Sequence, residues 1–582
     1  EDVSINADDT YQTPNEIQKD FTSLQTDIDN SQNVFELTYD VKHGDDEIDN
    51  YGISITKNTI INGNGHTIDA NGHGSIFVVK DSSVTLTLND LTLINANPVS
   101  DSSGIVSNGG AVYFDGSTLI VNNVNFKNNT VYKYGGAIYT TGTCIVDSSV
   151  FDGNDVQFRS QNIDNGGAAI YADNGASLLI SNSQIINNHK NMVIRDNNVG
   201  DLVDGVVVAT GYTKISKSYF RNNSGCYGGA VTSLGYTNAG KNQIIIENSV
   251  FDANRAFQGA AVNVIGSTFK ISGTNFTNNK GVGYGSGNPN VGALLTWYGC
   301  EGTISDCNFI NNTAATMGGA VFNNGTLTIQ KCIVDNNDIT KRTSSDSEDY
   351  GGAAIYNWYD STLFIKNSTI SNNLKNYKNG DYVVGAVTSL GKTIISQNSY
   401  FVNNSGRWGG ALSVMGGESS SATNFIDIDG TKFVNNSALY GGAMNLLGEV
   451  SPGSIYSYID SSLGGWEQRP VFKANIKQFV SLRKNAPPIG INELRRITEF
   501  FNTPGDDFAL DPTYEPDKHE ADMKEVNVEH EVIFSILQKY VKLNLVRPVG
   551  EEHMYYAAIN HKSCKLTAQG QHYWNLVKKG NI

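Results

Sequence analysis

Two short signatures alternate along most of this chain, and their spacing restricts the fold more than any other feature. One is an apolar residue followed three positions later by Asn: Phe126 to Asn129, Phe151 to Asn154, Phe220 to Asn223, Phe251 to Asn254, Phe276 to Asn279, Phe309 to Asn312, Phe401 to Asn404 and Phe433 to Asn436. Ile185, Val334 and Ile370 fill the Phe slot in three further copies. The other is Gly-Gly-Ala plus an aliphatic, beginning at Gly109, Gly135, Gly228, Gly318, Gly409 and Gly441, with looser copies at Gly166, Gly259, Gly292, Gly351 and Gly385. The period, roughly 24–36 residues, lies in the range of stacked arrays. A unit that short cannot bury its own apolar face and must stack on its neighbours.

Between the signatures run segments with strict period-2 alternation, such as Ser117-Thr118-Leu119-Ile120-Val121 and Thr326-Leu327-Thr328-Ile329. These are strands punctuated by Asn and Gly. No helical period separates them, so βαβ units are excluded. The expectation is a mainly β chain: a right-handed parallel β-helix, a pectate-lyase-like solenoid of about 13 rungs at ~4.8 Å each. The Phe slot points inward, the paired Asn sits at a bend, and the aliphatic after Gly-Gly-Ala forms a second inward column. Gln12 to Asn30, with Phe21, Leu24 and Ile28 at helical spacing behind Thr13 or Asn15 as cap, reads as an N-terminal capping helix. His66, Asp69, Asn71 and His73 read as turn residues of the first rungs. Cys307 and Cys332 fall two before the Phe slot in consecutive rungs. They should stack in the core, as buried thiols or as a strained disulfide.

Composition breaks near Glu449. Eight of the eleven prolines and five of the nine histidines lie beyond it, with about 16 basic and about 16 acidic residues, so the net charge of -17 resides in the first part. The expected domains are residues 1–50 (cap and first strands), 51–450 (β-helix), 451–466 (linker) and 467–582 (a small α/β domain). In the last, Ile491–Phe501, Val528–Lys542 and Thr567–Lys579 read as helices, and Asn544–Pro548 and His553–Ile559 as strands, winged-helix-like in outline. Its balanced charge favours protein contacts over DNA. His553, His561, Cys564 and His572 match no zinc spacing. An acidic surface argues against nucleic acid as partner of the β-helix. No segment approaches the roughly 20 apolar residues of a membrane helix. The start at Glu1-Asp2, with no apolar leader, reads as a processed chain.

Paired Gly-Gly-Ala-Ile and Phe-x-x-Asn repeats resemble the polymorphic membrane proteins of chlamydiae. The Asn-rich opening, Asn58-Thr59-Ile60-Ile61-Asn62-Gly63-Asn64-Gly65-His66-Thr67-Ile68-Asp69, is similar to the adhesin-like surface proteins of methanogenic archaea. The resemblance covers roughly residues 15–450 and implies a secreted, surface-displayed β-helix used for attachment; the expectation from all of this is an adhesin-like protein without catalytic activity.

An enzyme on this scaffold, the alternative, would need acids aligned on adjacent rungs beside a basic residue. Asp152 and Asp252 are rungs apart, Asp8-Asp9 and Asp45-Asp46 precede the solenoid, and Asp115 and Asp173 read as turn acids. A third reading is a structural spacer. No cofactor is expected; Ca²⁺ belongs only to the lyase version of the alternative. For the binding reading, Tyr113, Tyr139, Tyr171, Tyr298, Phe322, Tyr356 and Trp358 are expected on the exposed side of the second strand column, with Leu234, Ile265, Leu390, Met415 and Leu447. Such a strip would stack on sugar rings or a partner's apolar surface, a surface glycan or protein of another cell. Trp297-Tyr298 and Trp358-Tyr359, two rungs apart, are the leading contact residues. The aromatic before each Gly-Gly (Tyr134, Tyr227, Tyr350, Trp408, Tyr440) reads as structural. Sequons stand at Asn128, Asn222, Asn275, Asn311, Asn367, Asn403 and Asn435; most coincide with the Asn bend, where a buried amide could not be modified.

Overall fold

The computed structural model describes residues 18–47, 52–98, 108–157, 166–189, 194–195, 198–199, 205–235, 242–259, 261–283, 290–342, 350–378, 380–415, 424–447, 450–460, 489–514 and 527–580. The protein is mainly β, 45% strand and 12% helix, with the parallel sheets of a solenoid. It comprises two compact units, residues 1–300 and 301–582.

The first unit opens with a helix, Phe21–Asn30, whose Phe21, Leu24 and Ile28 are buried as their spacing predicts. Its cap is neither Thr13 nor Asn15, both outside the described residues, but Asp20, whose carboxylate accepts the Ser23 N–H at 2.8 Å. Glu47 accepts the free Thr22 N–H at 2.7 Å, so a second acid satisfies the first turn. The coils follow one plan. In the coil of residues 143–172, a first strand (Thr143–Asp147) turns a corner at Ser148 (φ 50°) into a second strand (Val150–Asp152). A short strand, Asp155–Val156, leads to a glycine arch and the third strand, Ile170–Ala172. Pairing with the preceding coil is parallel and in register: Ile145 opposite Ile120, Phe151 opposite Phe126.

Three columns hold the coils together. The Phe slot is fully buried, and its rings stack nearly parallel, Phe126 on Phe151 at 4.6 Å and Phe220 on Phe251 at 4.6 Å. At the bend, the first residue of each Asn pair takes the left-handed conformation (Asn222, φ 55°), and the second makes a buried ladder. Asn223 Nδ2 donates to Asn254 Oδ1 at 3.0 Å and to Ile185 O at 2.8 Å, while its Oδ1 accepts the Asn188 backbone N–H and Nδ2. The third column, unforeseen, is a hydroxyl ladder at the corner. Ser183 Oγ accepts the Ser149 N–H at 3.1 Å and donates to Ser181 O at 2.6 Å, and Ser218 does the same for Ser183. Each ladder satisfies backbone groups that a sharp bend would otherwise leave unpaired.

The second unit repeats these columns. Phe401 stacks on Phe433 at 4.9 Å, and the Asn ladder runs Asn312, Asn337, Asn373, Asn404, Asn436. Cys307 and Cys332 occupy the hydroxyl column as buried thiols not joined in a disulfide, donating to Ser305 O and Gln330 O as a serine would. Val450–Asp460, where the sequence reading starts a linker, form a strand paired with Asn424–Val434. The C-terminal helices are Ile491–Arg495, Ile497–Phe500, Val528–Lys542, Met554–Ile559 and Ala568–Lys578, the last capped by Thr567. An antiparallel sheet sets Ser563–Leu566 between Asp507–Ala509 and Val546–Val549. The expected strand His553–Ile559 is instead a helix, because its buried residues, Met554, Ala557 and Ala558, recur at three and four rather than at two.

Candidate functional site

The expected strip of exposed aromatics divides into three different environments. Trp297 and Trp358 occupy the same position of the plan, Trp297 as the last residue of the strand Leu294–Trp297 and Trp358 directly after Ile355–Asn357, and each is followed by a tyrosine at the turn. Tyr298 takes the left-handed conformation (φ 60°) and is 69% exposed. Its ring meets Trp297 edge-on at 6.1 Å. Tyr359 is 37% exposed and meets Trp358 edge-on at 5.0 Å. Both pairs therefore present aromatic surface on turns fixed by the strand behind them.

Tyr113, Tyr139 and Tyr171 stand opposite one another in the third-strand sheet and stack at 5.4 and 6.1 Å. Tyr134, the residue before the glycines, adds its ring at 4.7 Å from Tyr171, as its structural reading predicts. Tyr139 is not exposed: it is buried, and its hydroxyl donates to Asp173 at 2.9 Å. Burial first, then the Asp173 charge, raises its pKa far above the ordinary tyrosine value. Tyr356 and Phe322, also expected outside, are fully buried, stacked on each other at 5.6 Å with Trp358 alongside Tyr356 at 5.9 Å. Leu234 and Leu390 are buried too, and the side chains of Met415 and Leu447 lie outside the described residues.

A glycine arch precedes these strands. Its first glycine has positive φ (Gly135 72°, Gly352 62°) and folds back over the outer side of the strand it introduces. A Cβ on Gly352 would lie 2.4 Å from Ile355 O and 2.9 Å from Tyr356 N. The arch thus lies against the backbone of that strand; Tyr356 is packed by Phe322 and Trp358, whereas Tyr113 and Tyr171, behind the same arch, are half-buried. This geometry also aligns the looser copies one residue later than expected: Gly167 and Gly352, not Gly166 and Gly351, carry the arch's left-handed conformation.

The acids considered for catalysis are mostly ties between coils. Asp152 accepts Asn187 Nδ2 at 2.9 Å; Asp252 accepts Thr277 and Asn278 at 2.8 Å, with Arg221 at 3.5 Å; Asp115 accepts the Thr141 hydroxyl. Asp8 and Asp9 lie outside the described residues. An acid pair that sequence spacing concealed occurs in the second unit. Arg342 Nη2 holds both Asp338 oxygens at 2.6 and 2.8 Å, and its Nη1 holds Asp381 at 2.8 Å. Burial pushes the Asp338 carboxyl up from its ordinary value, against the pull of Arg342.

Near the first helix, the rings of His43 and His73 stack at 4.6 Å, Asp69 accepts Asn71 N–H and Asn95 Nδ2, and His66 meets Asp40 at 3.1 Å. Among the described residues, no group of His, Cys, Asp or Glu has the arrangement of a metal site, near these residues or around His553, His561, Cys564 and His572. The sequons need a correction. The asparagine of the sequon is the first of each pair, and Asn128, Asn222, Asn311, Asn403 and Asn435 are exposed; only the second asparagine is buried.

No family model, no curated protein and no solved structure matches this chain.

Proposed function

We propose that this protein is a secreted, cell-surface, adhesin-like protein, its coils a right-handed parallel β-helix of the pectate-lyase type, and that it attaches to glycans on other cells. The observation that carries the reading is the pair of Trp-Tyr turns, with Tyr298 at 69% and Tyr359 at 37% exposure on turns anchored by rigid strands. Exposed rings on a fixed frame lose little conformational entropy when a sugar ring stacks on them. The repeat resemblance, and the absence of any helix long and apolar enough to cross a membrane among the described residues, fit this reading. The C-terminal segment is read as a winged-helix-like domain mediating protein contacts, because its three-stranded sheet and flanking helices have that outline and its charge is balanced.

A polysaccharide-degrading enzyme is the second reading, favoured by one observation: Asp338 and Asp381 share Arg342. One experiment separates the two. The full chain is incubated with plant, microbial and host polysaccharides, and retention and new reducing or unsaturated ends are scored together. Attachment predicts retention without new ends, weakened at least about tenfold in a Trp297→Ala/Trp358→Ala variant, the loss expected when ~1.4 kcal/mol of stacking is removed. New chain ends would establish the enzyme instead.

A further inference from the structure

The face between the asparagine bend and the glycine arch of the second unit carries a cluster that the attachment reading does not use. Successive coils bring its members together: Tyr382 N–H donates to Arg342 O at 2.9 Å, Arg407 N–H to Val383 O at 2.8 Å, and Trp408 stands opposite Tyr440 in the parallel pairing. The Arg407 guanidinium lies 3.9 Å from the centroid of the Tyr382 ring and 4.8 Å from that of Trp408. Trp408 and Tyr440 stack at 6.3 Å with 21° between their planes. All four side chains are partly exposed.

Two features mark this cluster as incomplete without a ligand. The first is charge. Arg342 takes both local carboxylates, Asp338 and Asp381, and Arg407 has no carboxylate partner among the described residues, in a chain of net charge -17. A guanidinium packed against two aromatic rings is pre-oriented for a planar anion. The second is hydrogen bonding. Arg407 Nε, Trp408 Nε1 and Tyr377 Oη are shielded from solvent and have no partner among the described residues. All three can donate, so the missing group is an acceptor. Shielded donors without acceptors are uncommon and point to a group that the described residues do not supply.

We propose that this cluster is a subsite for a uronic acid residue of an acidic polysaccharide. The pyranose lies against the Trp408 and Tyr440 rings, and its carboxylate meets Arg407. Arg342 serves as a positioning residue: it neutralises Asp381, which would otherwise repel the incoming carboxylate. A neutral sugar would leave the Arg407 charge unanswered. An acidic peptide needs no flat apolar platform, whereas Arg407 stands beside two aromatic rings.

The test titrates the full chain with oligogalacturonate and, separately, with a neutral malto-oligosaccharide of the same length. Oligogalacturonate binds, weakens with added salt, and loses at least about tenfold in affinity in both Arg407→Gln and Trp408→Ala, one charge-assisted bidentate contact or one stacked ring. Trp297→Ala/Trp358→Ala leaves this affinity unchanged, which keeps the subsite separate from the turns proposed above. Arg407→Gln retains the stem and decides the matter if Trp408→Ala unfolds, as judged by its melting curve. The proposal is overturned if the wild type does not bind oligogalacturonate, if it binds the neutral sugar equally, if Arg407→Gln binds as the wild type does, or if the loss appears only in the turn variant.

Discussion

Replacing Asn223 by Asp exchanges one atom group in the buried ladder, and the structure fixes how stability should then depend on pH. Asn223 is fully buried and its side chain takes part in four hydrogen bonds: Nδ2 donates to Ile185 O and Asn254 Oδ1, and Oδ1 accepts Asn188 N–H and Nδ2. An aspartic acid keeps the accepting oxygen, but its second oxygen faces two acceptors. It can stay only as a protonated O–H, donating to one of them. At pH 4 and below the variant therefore loses one hydrogen bond, about 1 kcal/mol. Above that, the unfolded chain releases the proton near pH 3.9 while the folded chain retains it, so the native state binds more protons than the unfolded state. Stability relative to wild type then falls by about 1.4 kcal/mol per pH unit, reaching a total deficit of about 5 kcal/mol at pH 7. Asn223→Ala loses all four bonds, about 4 kcal/mol, with no such slope. Denaturant midpoints of the full chain measured from pH 4 to 7, with exchange protection of the flanking coils to locate the loss, give the difference curve. A flat curve for Asn223→Asp would refute the ladder as described.

Other substitutions probe the remaining columns. Phe251 is stacked on Phe220 at 4.6 Å and on Phe276 at 5.1 Å, so Phe251→Ala should cost about 3–5 kcal/mol, read from denaturant unfolding; a loss under about 1 kcal/mol would mean that the rings do not pack as stacked. Gly135→Ala places a Cβ 2.3 Å from Ile138 O at φ 72°, and should lower stability by several times the ~1 kcal/mol of a simple left-handed penalty, whereas Gly65→Ala, with open space around it, should show only that penalty. Cys307→Ser supplies the hydroxyl that the same column uses elsewhere, and should stay within about 1 kcal/mol of wild type; a larger loss in thermal melts would show that the thiol does more than occupy a rung of that ladder.

The inward columns were legible because period and alternation are local properties: Phe126, Phe151 and Phe220 could be aligned by eye, and all three are buried. The direction of the outward residues was not legible in the same way. Alternation places Tyr139 and Tyr356 opposite the inward column, where exposure is expected, but it cannot show the ring neighbours that bury them. The Asn pairs illustrate the same limit at smaller scale. Both asparagines favour a bend, yet the left-handed one faces solvent and its neighbour enters the ladder, which reverses the expectation for the sequons. The Arg407 cluster was hidden for another reason. Arg342, Tyr382, Arg407 and Tyr440 come from coils of unequal length, so no fixed offset in the sequence aligns them.

These ladders also indicate where such a scaffold can carry specificity. Every bend and corner that uses Asn223, Ser218 or their equivalents is committed to backbone satisfaction. A fully buried side chain of the third strand, such as Tyr356, can change the packing but cannot reach a ligand. The places left are the turn that follows the third strand and the face between the bend and the arch. Tyr298 and Tyr359 stand at the first, and Arg407 with Trp408 and Tyr440 at the second. Both lie outside the hydrogen-bonded columns, so aromatic and charged residues can be placed there without loss of a rung. Any binding this chain performs through its coils should therefore be lost by substitutions at these two places and insensitive to conservative exchange in the Tyr113, Tyr139 and Tyr171 stack.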